Sequence, residues 1–301
     1  MKAIVVHETG PPEVLRYEEI DRPEPDEGEV LVRVHAASVN PVDWKYRQGV
    51  APKPLPAVLG SEISGTVEIS RADGFSEGDE VFGFSASGGY AEYSTAAATV
   101  IAKKPAGISH QEAAAIPVAG LTAWQALFDR GGLQSGQTAL VAGAAGGVGH
   151  FAVQFAKHSG ARVIGTGSSA NRDFVLGLGA DEYVDYTRQD VGVAVSGADV
   201  AFDTVGGDVT ASLLPAIREG GILVTIAGDP HEETAREQGK RAELFVMSPK
   251  SEQLERIGEL VAAGEVRVEI AEEIPLAEAA RAHELSEGGH VRGKLVLTVT
   301  K

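Results

Sequence analysis

The residues best suited to do chemistry lie in one stretch near the middle of the chain, Thr138 to Lys157, which reads T-A-L-V-A-G-A-A-G-G-V-G-H-F-A-V-Q-F-A-K. Thr138 to Val141 is a short apolar run with the β-branched content of a buried strand, and Val148, Ala152, Phe155 and Ala156 then recur at helical spacing. Between them stand Gly143, Gly146, Gly147 and Gly149. So tight a strand-to-helix turn needs residues without a β-carbon. The helix that leaves it points free N–H groups and its positive dipole end at whatever lies above. The natural occupant is a diphosphate, held by Ala145, Gly146, Gly147, Val148 and Gly149. Set against G-x-G-x-x-G, Ala144 takes the first glycine position and Gly146 and Gly149 the other two. Taken alone, the stretch also reads as an ordinary glycine-rich turn of an α/β protein.

The surrounding elements favour the dinucleotide reading. Arg162 to Gly165 has the character of a second strand, and Val184 to Tyr186 closes a third after the turn at Gly177 to Ala180. A domain that prefers NAD places an acid at the end of the second strand, to bind the ribose hydroxyls. Here that strand runs into Gly165-Thr166-Gly167-Ser168-Ser169-Ala170-Asn171-Arg172, and no acid occurs before Asp173. Ser168 and Ser169 followed by the Arg172 guanidinium suit a 2′-phosphate, so NADPH is the expected cofactor. The alternative for Arg172 is that it merely starts the next helix.

Those elements belong to a chain of two textures. Up to about residue 100, short strands alternate with turn residues: Lys2 to Val6, Glu29 to Ala36, Ile63 to Ile69, Glu80 to Gly83 and Tyr90 to Ser94. Ser109 with Glu112 forms a capping box for a helix through Ala115, and a second helical run covers Gly120 to Leu127. From there, strands at Ala139, Val163, Val184, Val200 to Asp203 and Ile222 to Ile226 alternate with helices, which predicts a doubly wound parallel sheet. Asp229 to Glu243 has no apolar period and reads as a surface loop or an exposed irregular helix. Ser251 to Ala263 is an amphipathic helix, and the tail runs strand, helix (Leu276 to Glu287) and strand (Lys294 to Val299). The last strands need a sheet, and the N-terminal one is available. The expected fold is therefore α/β and discontinuous, with residues 118–245 as a Rossmann domain inserted into a β-rich domain made of 1–117 and 246–301.

Composition bounds the function. At 301 residues the chain is long enough for two domains, and 43% hydrophobic with 23% charged residues is ordinary for a soluble protein. A formal charge of −17 with no basic stripe argues against a nucleic-acid partner. No apolar run could span a bilayer, no signal-peptide region opens the chain, and the cytoplasm is the default location, although a mature form trimmed of a targeting segment would read the same. The absence of cysteine excludes disulfides and thiolate metal sites.

Several segments together resemble a known family over nearly the whole chain. They are G-P-P-E-V-L near the N-terminus, V-N-P-V-D-W-K-Y-R-Q-G at Val39 to Gly49, L-G-S-E-I-S-G-T-V at Leu59 to Val67, G-D-E-V-F-G at Gly78 to Gly83, A-A-I-P-V-A-G-L-T-A-W at Ala114 to Trp124, and R-G-K-L-V-L at Arg292 to Leu297. They look like the medium-chain dehydrogenase/reductase superfamily and, within it, are most similar to the zinc-independent quinone oxidoreductase group. The resemblance implies a GroES-like catalytic domain, a Rossmann domain, an active site in the cleft between them, and a homodimer. It also implies that Asn40, Lys45 and Tyr46 line the nicotinamide side, although close quinone reductases carry tyrosine at the position of Lys45, which otherwise reads as a solvated loop lysine. Tyr186 joins Arg172 at the 2′-phosphate, Thr122 lies near the cofactor, and Val205, Ala227, Gly228, Phe245 and Val246 approach the nicotinamide. For Phe245 and Val246, core packing is an equal alternative, and Asp43 reads as a turn residue bonded to backbone.

Zinc-dependent relatives take their catalytic metal with cysteines and the histidine of a Gly-His-Glu turn. Here that turn is Gly60-Ser61-Glu62 and no cysteine exists, so a metal role is not expected. Without a Lewis acid the tractable hydride acceptor is a quinone or an α,β-unsaturated carbonyl, whose conjugation spreads the incoming charge. The expected reaction is NADPH-dependent reduction of such an acceptor. Two other readings stay open: an NADPH-binding sensor or structural protein with little turnover, and a 2-enoyl-thioester reductase.

Overall fold

The alternation of strands and helices in the middle of the chain folds as a six-stranded parallel sheet, in a computed structural model that describes residues 1–51 and 53–299. Its spatial order is Glu182–Asp185, Arg162–Gly167, Thr138–Ala142, Ala198–Asp203, Ile217–Thr225, Arg241–Leu244. Numbered along the chain this is 3-2-1-4-5-6, so the order reverses between Thr138–Ala142 and Ala198–Asp203. Such a switch point leaves a crevice at the carboxyl ends of the strands. The sheet belongs to a unit spanning Ala119–Ser248. Leu140, Ile164, Ala201 and Leu223 are buried from adjacent strands, each large one contributing about 1.5–3 kcal/mol.

For Asp229 to Glu243 the exposed helix is present, and the sixth strand is the correction to a reading of loop or helix alone. That segment forms a helix, Glu232–Glu237, and then the strand Arg241–Leu244, paired with the strand Ile217–Thr225 from Ile222↔Arg241 to Thr225↔Leu244. Only Ala235 of that helix is buried, and the strand is a four-residue edge with exposed ends. An edge strand made this way needs no apolar period, so none marks it.

The other unit combines Met1–Val118 with the chain from Pro249 onward. Its main sheet has the order Ile270–Pro275, Lys294–Thr298, Glu29–Val39, Glu62–Ser70, Glu80–Phe84, Ile101–Lys103, and Tyr93–Ala97 also pairs with Glu29–Val39. The C-terminal strand joins the N-terminal sheet antiparallel, from Leu295↔Val39 to Thr298↔Ala36. This closes the discontinuous GroES-like fold. Val32, Val34, Ile63, Val67, Val81, Ile101, Leu295 and Leu297 share its core. A small sheet of Leu15–Glu19, Lys2–Val6 and Ala57–Val58 lies beside it in the chain's first unit. The expected strand at Tyr90 to Ser94 begins only at Tyr93, because Tyr90 bonds Leu59 O and Ile4 N and Ala91 bridges Ala3, so these residues pair away from the main sheet.

Two caps fix local geometry. Ser109 and Glu112 form the capping box of the helix His110–Ala114. The helix Pro41–Arg47 opens with proline at its first position and with Asp43 Oδ2 accepting the Asn40 backbone N–H at 2.9 Å.

Candidate active site

The glycine turn stands where the parallel sheet reverses. Gly143 has φ +71°, and a β-carbon there would meet Thr204 Oγ1 at 2.4 Å and Val205 Cγ2 at 3.0 Å. At Gly149 a β-carbon would lie 2.1 Å from the Gly143 carbonyl oxygen, so the helix Gly149–His158 can start this close to the strand only as glycine. Gly146 N donates to Gly143 O and His150 N to Gly146 O, which sets the loop. Among the described residues no backbone carbonyl takes the amides of Ala145, Gly147 or Val148. Unspent N–H groups at a helix start form a nest for an anion. The residues therefore fit a dinucleotide diphosphate.

Asp203 holds the next loop to this edge. Its buried carboxylate accepts Val205 N (2.8 Å) and Gly206 N (3.1 Å) on Oδ1, and Thr210 Oγ1 (2.6 Å) and Thr225 Oγ1 (3.1 Å) on Oδ2. Gly206 packs on Ala227, and a β-carbon on Gly228 would lie 3.6 Å from Gly207 N. The structure thus gathers Gly143, Val205, Ala227 and Gly228 at one edge. Val205 and Val246 are exposed, whereas Phe245 is buried under Arg130, whose guanidinium carbon is 5.4 Å from the ring centre. Thr122 is buried within the helix Pro117–Trp124.

At the end of the second parallel strand, Tyr186 N donates to Gly167 O at 3.2 Å and Tyr183 OH to Ser168 O at 2.6 Å. Burial pushes the Tyr183 phenol up to about 12, with Asp185 and Tyr186 adding to the rise and the Arg172 charge opposing it. Ser168, Arg172 and Tyr186 therefore cluster around Tyr183. Ser169 and Arg172 face solvent. Asp185, at the end of the neighbouring strand, spends Oδ1 on Thr187 N and Oγ1.

In the other unit a cavity of about 420 Å³ is lined by Asp43, Tyr46, Lys53, Ser61, Ser85 and Phe84, among others. Of Asn40, Lys45 and Tyr46, only Tyr46 reaches it. Lys45 is exposed on its helix, with its ammonium 5.6 Å from the Trp44 ring centre. Asn40 is buried and spent: Nδ2 donates to Glu62 Oε1 at 2.6 Å, and Oδ1 accepts Lys294 Nζ at 2.5 Å. Lys294 also pairs with Glu62 Oε1 at 3.1 Å, both side chains being at most 3% exposed, and Glu62 Oε2 accepts Val118 N.

Asp43 does more than cap its helix. Besides the Asn40 N–H it accepts Ser61 Oγ–H at 2.7 Å and Tyr90 OH at 3.1 Å. Burial pushes its carboxyl up to about 6, against those hydrogen bonds and with the Glu62 charge adding to the rise. Behind it, His283 Nε2 lies 3.3 Å from Tyr90 OH, Arg47 Nη1 lies 3.3 Å from His283 Nδ1, and Arg47 Nη2 pairs with Glu287 at 2.6 Å. Burial, with the Arg47 charge, lowers His283 to about 3 and keeps the ring neutral. Lys53 bonds Val58 O, and burial holds its ammonium below the usual value, opposed by the Asp43 charge. Sequence reasoning marked neither Ser61 and Lys53 as cavity-lining residues nor Tyr90 and His283 as the groups behind Asp43. Only the Gly60-Ser61-Glu62 turn carried a signal for any of them.

Comparison with known proteins agrees with this architecture. Residues 26–106 match the alcohol dehydrogenase GroES-like domain family, and residues 178–297 match the zinc-binding dehydrogenase family. The chain is 34% identical to the chloroplast envelope quinone oxidoreductase homolog of Arabidopsis thaliana, over 94% of this chain and 93% of that one. It is 33% identical to the 2-methylene-furan-3-one reductase of Solanum lycopersicum, over 99% of this chain and 79% of that one. The crystal structure of Escherichia coli quinone oxidoreductase complexed with NADPH superposes with a TM-score of 0.89 at 30% identity, covering 99% of this chain and 100% of that one.

The residues present do not fit the zinc that one family description implies. The chain has no cysteine, Ser61 occupies the Gly-x-Glu turn, and Asp43 and Glu62 are already committed to hydrogen bonds and an ion pair. Among the described residues no cluster of three or more histidines, cysteines or acids could hold a metal. With a Rossmann sheet, a GroES-like unit and full-length similarity to quinone oxidoreductases, the chain belongs to the zinc-independent quinone oxidoreductase group of the medium-chain dehydrogenase/reductase superfamily.

Proposed function

We propose that this protein is an NADPH-dependent oxidoreductase that reduces a quinone or an α,β-unsaturated carbonyl without a metal. The observation that carries the reading is the turn at Ala145 to Gly149, with unspent amides and no room for a β-carbon at Gly149. When bound, NADPH supplies the hydride. The chain's own part is to bind and orient. The amides of Ala145, Gly147 and Val148 take the diphosphate, and the helix start adds its dipole. Ser168, Ser169, Arg172 and Tyr186 take the 2′-phosphate, supported by the absence of any acid between Gly165 and Arg172. Val205, Ala227 and Gly228 border the same sheet edge and are assigned to the nicotinamide end. The cavity with Tyr46, Lys53 and Ser61 is assigned to the acceptor. A conjugated acceptor delocalises incoming negative charge itself, so hydrogen-bond donors suffice in place of a Lewis acid.

A homodimer, which the resemblance implies, and the cytoplasm as default location complete the proposal, and sedimentation analysis tests the dimer. Among the described residues no helix is long and apolar enough to cross a membrane. The activity is tested by NADPH oxidation with 1,4-benzoquinone, 9,10-phenanthrenequinone, methyl vinyl ketone, 2-hexenal and crotonyl-CoA, with NADH in parallel. Turnover of quinones or enones with NADPH, and much weaker use of NADH, is the expected result. Binding of NADPH without oxidation by any acceptor would favour the sensor reading instead.

A further inference from the structure

We propose that Ser61 is the catalytic proton donor to the acceptor's oxygen, and that Asp43, behind it, is the positioning residue that resupplies the proton. This rests on the functional reading above.

The hydrogen bonds around Asp43 all run in one direction. Arg47 Nη1 donates to His283 Nδ1, which leaves Nε2 to donate to Tyr90, and Tyr90 OH donates to Asp43 Oδ2. Ser61 Oγ–H donates to Oδ1 from the cavity side. Every donor therefore converges on one buried carboxylate. Among Asp43, Tyr90 and His283, only Asp43 can change charge near neutrality. Tyr90 is held well above its usual range by burial and the Asp43 charge, and His283 is held neutral. The other charged groups facing Asp43 are Glu62, itself paired with Lys294, and Lys53, while Tyr46 shares the cavity wall. The Arg47 charge, paired with Glu287, stands two hydrogen bonds away.

The charge state of Asp43 sets the direction of the Ser61 hydroxyl. Against a carboxylate, the Ser61 proton is committed to Oδ1 and cannot be offered to a ligand. When Asp43 is protonated the bond reverses. The carboxyl donates to Ser61 Oγ, and the Ser61 proton is free to point into the cavity.

The step balances as follows. Hydride from NADPH forms a C–H bond at the β-carbon of the enone, and the C=C pair shifts to leave negative charge on the carbonyl oxygen. The Ser61 O–H bond breaks and its proton goes to that oxygen, while the Asp43 proton moves to Ser61 Oγ. Asp43 is left as carboxylate, the enol relaxes to the saturated ketone, and water recharges Asp43 once product leaves. For a quinone the same proton completes one hydroxyl of the hydroquinone; the hydrogen delivered as hydride to the ring carbon then leaves as a proton to water as the ring becomes aromatic, and water returns one proton to the second oxygen.

The competent form has Asp43 protonated, so kcat/KM for an enone is high below about pH 6 and falls by about tenfold per further pH unit. Ser61→Ala and Asp43→Asn each lower kcat by about 100-fold, the usual scale of a lost general acid, and remove that pH dependence. A readout free of cofactor comes from carbon-13 NMR titration of the aspartate carboxyls. Asp43 titrates near about 6 in the unsubstituted protein and higher in Ser61→Ala, because the lost hydrogen bond favoured the charged form. If Asp43→Asn does not fold, Ser61→Ala and the titration decide. Unchanged kcat and pH profile in Ser61→Ala, or an Asp43 midpoint near the ordinary value of about 3.9, would overturn the proposal. Failure of the unsubstituted protein to oxidise NADPH would instead remove the functional reading and this proposal with it.

Discussion

The two units build their sites from opposite materials. The Rossmann unit makes the cradle proposed for the diphosphate from the backbone of one contiguous stretch, Gly143 to Gly149, where side chains are nearly absent. The GroES-like unit makes its cavity wall from side chains brought from distant parts of the chain, Asp43, Tyr46, Lys53, Ser61 and Phe84 among them, and backs it with a buried network of Asn40, Glu62, Tyr90, His283 and Lys294. The first kind of site is damaged by adding atoms and the second by removing them. In the first, function depends on close approach; in the second, on charges that are buried and must be matched.

The largest effect expected from this contrast is at Lys294. Its ammonium and the Glu62 carboxylate are at most 3% exposed, and Asn40 bonds both. Lys294→Met leaves Glu62 with an uncompensated buried charge, which costs about 3–5 kcal/mol. Adding Glu62→Gln to the same chain recovers a large part of that, because the remaining group is neutral. Urea denaturation of the single and double variants measures both. A loss below about 1 kcal/mol for Lys294→Met would mean that the side-chain network carries no more weight than a surface ion pair.

Next comes Gly149→Ala, where one methyl is placed 2.1 Å from a carbonyl oxygen. The oxygen is backbone, so the turn itself must shift and the amides lose their aim. NADPH affinity, read by quenching or energy transfer in fluorescence titration, falls by about 100-fold, roughly 2.7 kcal/mol. If affinity is unchanged, the cradle is not where the diphosphate binds.

The same contrast explains what could be read from the sequence. A backbone site needs particular residues in sequence order, so Gly143, Gly146 and Gly149 announced the turn and the absence of an acid before Arg172 announced the phosphate choice. A side-chain site is assembled by strand pairing, and nothing local connects Asp43 with Tyr90 or His283. Asp43 read as a turn residue because the Asn40 N–H bond is local, while its other bonds, from Ser61 and Tyr90, are made only by the fold. Lys45 and Tyr46 are neighbours in sequence, yet a helix sends consecutive residues in different directions, and only Tyr46 meets the cavity. The β-rich sheet was legible from turn residues and alternation. The edge strand Arg241–Leu244 was not, because an exposed edge has no buried face to impose a pattern.

Arg172 is a mixed case, a side chain on an exposed turn within the backbone-built unit. Arg172→Ala weakens NADPH by about tenfold and leaves NADH nearly unaffected, so that the preference narrows by the same factor. Parallel KM measurements with the two cofactors check it. An equal loss for both would place the guanidinium at the shared diphosphate, and no loss would make it only the first residue of the helix Arg172–Gly177.

The smallest effect expected is also the one that separates fold from function within the glycine turn. A β-carbon at Gly146 would lie 3.3 Å from Gly143 O, tight but within what a small shift relieves, and its φ is not in the left-handed region. Alanine there also restricts the unfolded chain, which favours the folded state by about 0.4–1 kcal/mol and offsets the crowding. The stability of Gly146→Ala therefore stays within about 0.5 kcal/mol of the unsubstituted protein, whereas its NADPH affinity falls by about fivefold, roughly 1 kcal/mol, because the small shift that relieves the methyl moves the neighbouring amides proposed to face the diphosphate. Thermal denaturation with and without NADPH reads both quantities on one sample: the midpoint without cofactor barely moves, and the shift on adding cofactor shrinks. A variant that lost stability as Gly149→Ala does, with no change in that shift, would show that both glycines serve chain packing alone and that the cradle's resistance to added atoms has nothing to do with its ligand.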